Sequence, residues 1–165
     1  MIYFIADTHF NHENIIKYCN RPFKNTEEMN EYIIKKWNSV VKREDTVYHL
    51  GDVGFGTIDE LKKLLAKLNG TKILVMGNHD VRRSYKAWQE IGFSEVYKKK
   101  LIINNLVLTH EPIQDLEENQ INVFGHIHNK PLEDIFEKNS HICVSCEVVD
   151  YTPMSLGTGS IDIEK

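Results

Sequence analysis

Compact apolar runs and amphipathic stretches alternate through the first half of the chain. Ile2 to Ala6, Thr46 to Leu50 and Lys72 to Met76 are short and β-branched, and predict buried strands. Between them the spacing turns helical. Asn25 opens a stretch to about Val41, with Glu28 set for a capping-box-like start and Met29, Tyr32, Ile33, Trp37 and Val40 on the apolar face. Thr57-Ile58-Asp59-Glu60 is a capping box for a helix to about Leu68, stopped by Gly70. A further helix spans about Tyr85 to Ile91. Beyond it the rhythm changes: Val96 to Ile103, a turn at Asn104-Asn105, then Leu106 to Thr109, Ile121 to Phe124 and His141 to Val149 all predict strands. The pattern is α/β in the first half and mainly β in the second. With no repeat or linker in view, one domain over residues 1–165 is expected.

Composition narrows the function classes. Apolar residues at 41% and charged residues at 27% are those of an ordinary globular chain, and the net charge of -4 argues against a basic groove for long nucleic acid. A short nucleotide substrate stays compatible, because bound cations would add local positive charge. No run approaches the ~20 apolar residues needed to cross a bilayer, and Met1 to Ala6 lacks a basic leader, so a cytoplasmic protein is expected. Three cysteines argue against a disulfide scaffold, and Cys143 and Cys146 are read as reduced thiols in a β-rich run.

The chemistry sits where the apolar runs stop. Asp7-Thr8-His9, Gly51-Asp52, Gly77-Asn78-His79-Asp80, Thr109-His110 and Gly125-His126-Ile127-His128 each follow one. Residues two apart at a strand end point to the same side, so Asp7 with His9, and His126 with His128, are candidate chelating pairs. Oxygen and nitrogen donors without a thiolate suit two divalent transition ions better than one structural zinc. The glycines before Asp52, Asn78 and His126 permit tight turns and close backbone approach. Any one cluster is weak; five in this order, each ending a β-like run, are hard to produce by chance.

The order D-x-H, G-D, G-N-H-D, a lone histidine and G-H-x-H, from Asp7 to His128, resembles the motif set of the calcineurin-like metallophosphoesterases. That resemblance implies two facing mixed β-sheets flanked by helices, an α-β-β-α sandwich with a dinuclear metal centre at one edge. It implies that Asp7, His9 and His128 hold one ion, that Asn78, His110 and His126 hold the other, and that Asp52 bridges them. Manganese is the expected metal, with iron, nickel, zinc or cobalt as alternatives. His79 resembles the family's catalytic histidine beside the leaving group, with Asp80 supporting it. The implied reaction is in-line attack of a metal-bridging hydroxide on a phosphate ester.

The opening segment Phe10 to Phe23 is similar to an insert of small bacterial and phage phosphoesterases. Within it His12 and Arg21 are candidate grips for the substrate's phosphate or leaving group. The alternatives are a surface histidine and an arginine paired with a carboxylate. His49, inside a strand, is read as a core histidine. The chain's shortness leaves no room for a cap domain, which favours small phosphodiesters of nucleotide type over monoesters. The rival from another class is a non-catalytic, metal-binding interaction scaffold of the same fold, such as the small retromer subunit; the complete ligand set and His79 weigh against it. No membrane partner is expected, and the oligomeric state is not legible.

Overall fold

A computed structural model describes residues 1–156. Four parallel strands form the first sheet in the order β1 (Ile2–Ile5), β2 (Thr46–His49), β3 (Thr71–Val75) and β4 (Glu95–Tyr97). The second runs β5 (Lys100–Ile103), β6 (Leu106–Thr109), β7 (Ile121–Phe124) and β8 (His141–Cys143), antiparallel at β5–β6 and parallel after that. The helices are α1 (Glu13–Tyr18), α2 (Thr26–Val40), α3 (Ile58–Leu65) and α4 (Tyr85–Ile91). These two facing sheets with flanking helices are the α/β architecture expected.

Two apolar layers hold it together. Trp37, Leu61, Leu65 and Trp88 from the helices pack with Tyr3, Ile5, Val47 and Leu74 on the outer face of the first sheet. Phe4, Ala6, Leu50 and Val75 meet Leu106, Leu108, Val123 and Val144 between the sheets. Alternate residues of β1 therefore serve opposite layers, the period-2 rule for a strand buried on both faces. The edge of β1 is closed by bridges from Phe4 to Met154 and from Ala6 to Ser145, which protects it from pairing elsewhere.

Helix ends match their sequence signals. Asn25 accepts the Glu28 N–H, and Thr57 and Glu60 form a reciprocal capping box. Two segments differ from expectation. The run Val96–Ile103 is two strands in different sheets, broken at Lys98–Lys99, because β4 must finish the first sheet before the chain crosses to the second. The strand expected over His141–Val149 stops at Cys143. From Ser145 the backbone turns, with Val148 and Val149 both donating to the Ser145 carbonyl and Asp150 and Tyr151 left-handed. The opening insert contains the short helix α1, which sinks Ile15 into the core.

Candidate metal centre

Strands β1, β2 and β3 end on one side of the first sheet, and β6, β7 and β8 end beside them in the second. All five motif clusters begin where one of these strands stops. The expected geometry of residues two apart on an extended strand does not apply, because the ligands lie in the turns beyond the strand ends. Asp7, His9, Asp52, His126 and His128 all have left-handed backbones, with φ between 48° and 69°. That conformation costs an L-residue roughly 1–2 kcal/mol, and strain of this kind gathers at functional sites. Packing and hydrogen bonds hold it: Asp7 N–H donates to the Gly51 carbonyl and His9 N–H to that of Asp52, both at 3.0 Å.

Two glycines are required here. A Cβ on Gly77 would strike the Asp52 carboxylate, and one on Gly125 would strike Ala6 and Asp7. Asp80, expected to support His79, acts on the backbone of its loop. Its buried carboxylate accepts the N–H groups of Asp52 at 2.7 Å, Gly77 at 2.8 Å and Val53 at 3.1 Å. It stitches the second ligand loop to the third, and burial outweighs those bonds to raise its pKa to about 6.

The seven expected ligands converge. Asp7, His9 and His128 bring donor atoms within 4.8 Å of one another, as do Asp7, Asp52 and His110. Asp52 Oδ2 lies 3.5 Å from both His9 Nε2 and His110 Nε2. Asn78 Oδ1 is 3.0 Å and His126 Nδ1 is 3.2 Å from His110 Nε2. Asp52 is thus central to both sets. The half containing Asp7 and His9 is buried, whereas Asn78 and His126 are exposed.

The residues fit divalent cations on a direct observation. Asp7 Oδ1 and His9 Nε2 are buried without a hydrogen-bond partner, a costly state unless an ion completes it. Asp7 Oδ2 meanwhile accepts the His126 N–H at 2.8 Å. The rings are oriented for it as well: His110 Nδ1 sits 2.7 Å from the Leu50 carbonyl, which leaves Nε2 facing Asp52.

Charge in the cluster follows burial and proximity. Burial pushes the Asp7 carboxyl up and the His9 ring down to about 2. Burial opposes charge on His110 and His128 too, yet the Asp52 hydrogen bond with the Asp7 and Asp52 charges lifts His110 to about 9. Hydrogen bonds to Cys19 and Glu147 with the Asp7 charge lift His128 to about 10. Asp52 is held well below the usual carboxylate range because the hydrogen bond and charge of His110 outweigh burial. Metal ligation needs these rings without their protons, so a cation entering would compete with protons for them.

The remaining candidates separate. His79 stands at the lip, its side chain 36% exposed and Nε2 3.8 Å from Asp52 Oδ2, while its N–H donates to Asp52 Oδ1. His12 lies beside it, with Nδ1 3.2 Å from His9 Nδ1 and its ring centroid 4.4 Å from that of Phe55. Arg21 is the correction. Its side chain is fully buried and its guanidinium is engaged by Glu147 and by the carbonyls of Asp7 and Thr8, so it cannot grip substrate. Glu147, whose two oxygens each lie 3.1 Å from His128 Nδ1, was missed because its β-branched surroundings read as a strand. Cys19 also lies within reach of His128 and Glu147.

Known proteins place the chain in a family. Residues 1–147 match the family described as calcineurin-like phosphoesterase. The chain belongs to that family. It is 40% identical to an uncharacterized protein of Methanocaldococcus jannaschii, over 94% of this chain and 86% of that one. A protein of unknown function from Aquifex aeolicus has a crystal structure that superposes with a TM-score of 0.77 at 33% identity, covering 93% of this chain and 94% of the other. The nuclease MPE of Pseudomonas putida superposes at 0.54 and 18% identity, over 77% of this chain and 61% of that one, a likeness of fold. Among the described residues no helix is long and apolar enough to cross a membrane.

Proposed function

We propose that this chain is a dinuclear metal-dependent phosphoesterase acting on small phosphate esters, with phosphodiesters of nucleotide type favoured. The observation that carries the reading is the pair of buried, unpartnered donor atoms, Asp7 Oδ1 and His9 Nε2, among the residues that the motif resemblance implies as ligands. What weighs against a metal-binding scaffold of the same fold is His79, whose ring stands at the lip beside Asp52. Asp7, His9 and His128 would hold one ion, Asn78, His110 and His126 the other, and Asp52 would bridge them. Bound there, the ions would supply an acidified water and positive charge against the phosphoryl oxygens.

The protein's own part is to orient and to move one proton. His79 is fixed through its main chain by Asp52, while its ring stands at the lip with Nε2 3.8 Å from Asp52 Oδ2. An imidazolium at that position protonates the departing ester oxygen. Asp80 keeps the His79 loop in register with Asp52. Substrate choice is supported by a hollow of about 360 Å³ that runs from Asn78 and His110 over Met76 and Val81 to Lys98 and Lys99. Its apolar floor suits a nucleoside, and its lysines suit a neighbouring phosphate. The break between β4 and β5 is what brings those lysines to the site.

The test loads purified protein in turn with manganese, iron, cobalt, nickel and zinc. Each form is assayed on bis(p-nitrophenyl) phosphate, p-nitrophenyl phosphate and linear and cyclic nucleotide diesters. Diester hydrolysis dependent on at least one metal is expected, and Lys98→Glu with Lys99→Glu should raise KM on dinucleotides but not on the small aryl diester. No turnover with any metal would refute the proposed activity.

A further inference from the structure

The two halves of the centre are held by different devices. His110 is oriented by the main chain, through the Leu50 carbonyl. His128 is oriented by the side chain of Glu147, which belongs to none of the family motifs. That carboxylate is 7% exposed and receives Arg21 through Nε at 2.8 Å and Nη2 at 2.7 Å. Arg21 spends its other donors on the Thr8 carbonyl at 3.0 Å and the Asp7 carbonyl at 2.6 Å, beneath the Tyr151 ring. One buried chain of contacts therefore runs from the backbone of Asp7 and Thr8, through Arg21 and Glu147, to the ring of His128. It touches the loop that carries Asp7 and His9 and the ring of the third ligand of the same ion. None of its hydrogen bonds reaches Asn78, His110 or His126.

We infer that Glu147 and Arg21 form a positioning pair dedicated to the Asp7–His9–His128 half of the centre. Glu147 accepts the His128 Nδ1–H and so fixes the tautomer whose Nε2 faces the Asp7 carboxylate, 4.0 Å away. Arg21 neutralises Glu147 and pins the carbonyls of a loop whose Asp7 and His9 are left-handed. That clamp adds to the backbone bonds that hold the loop, from Asp7 N–H to Gly51 and from His9 N–H to Asp52. The late turn at Ser145–Tyr151 and the helix α1 thus contribute one partner each to a device serving a single ion. A carboxylate behind a histidine ligand is worth about 10–100-fold in metal affinity, and here that factor falls on one ion only.

The inference rests on the two-ion reading of the site, and the experiment separates the two. Metal-free parent and Glu147→Gln are titrated with Co²⁺, following binding by calorimetry and the shifted, exchangeable ring N–H protons by NMR. In the parent, two binding events should appear, with slowly exchanging N–H signals from His128, held by Glu147, and His110, held by Leu50. In Glu147→Gln one event should weaken about 10–100-fold, the His128 signal should be lost to exchange, and the His110 signal should persist. Because Glu147→Gln leaves Arg21 buried without a counter-charge, the double variant Arg21→Met with Glu147→Gln is run alongside and should show the same one-sided loss. Two events in the parent that weaken together, or a His128 signal unchanged in both variants, would overturn the positioning role while leaving the two-ion site intact. A single event in the parent would contradict the two-ion reading, and the fate of the His128 signal would still decide the role of Glu147.

Discussion

At the scale of single residues, neighbours in one loop do unlike things. Asn78, His79 and Asp80 are consecutive, yet Asn78 faces the other ligands, His79 waits at the lip and Asp80 turns inward to three backbone N–H groups. His79→Ala should therefore keep the metals, because His79 is not among the expected ligands and its hydrogen bond to Asp52 comes from the main chain. Turnover should fall about 10²–10⁴-fold on esters with poor leaving groups, the usual range for a general acid. Aryl esters that release p-nitrophenolate need little protonation and should lose far less. Steady-state kinetics on both classes is the check; equal losses would make His79 an orienting residue. The chemistry of these residues was legible in the sequence, since carboxylate, imidazole and carboxamide side chains announce themselves. Direction was not. Arg21 and Glu147 lie 126 positions apart, and only the fold reveals that they satisfy each other.

At the scale of elements, strands place the ligands and the turns beyond them aim the side chains. Buried strands were easy to read from their apolar runs, and helix starts from Asn25 and Thr57, because burial and capping leave local signatures. The break at Lys98–Lys99 and the turn after Cys143 were not, since a strand that changes sheet and a β-branched turn keep the composition of a strand. His49, inside β2, tests the packing of this layer. Its Nε2 lies 2.9 Å from Thr8 Oγ1, and burial, opposed by the Asp52 charge, lowers its pKa to about 3. In the unfolded chain the ring titrates near its ordinary value of about 6.5. Between those values the unfolded state holds the extra proton, so His49 makes stability rise with pH across that window and fall on acidification from about 6.5 toward 3. The slope is at most about 1.4 kcal/mol per pH unit. Urea denaturation of parent and His49→Gln between pH 6.5 and 4 should show a dependence shallower by about one proton in the variant. Identical slopes would mean that His49 is not held neutral in the fold.

At the scale of the whole molecule, two sheets face each other over a shared apolar layer and bring their ligand loops to one edge. Asp7 from β1 reaches the backbone of His126 from β7, so the site itself is a bond between the sheets. The ordered motifs foretold this edge and the family explains it; the sequence alone did not show that five of the ligands sit on left-handed backbone. The central claim is that this edge holds two divalent ions through oxygen and nitrogen ligands, with Asp52 common to both. Metal analysis after manganese loading and removal of the excess tests it most directly, on the parent and on Asp52→Asn. The account predicts two manganese ions per chain in the parent and no more than one in the variant. A parent that retains one ion or none, or an Asp52→Asn protein that retains two, would contradict it.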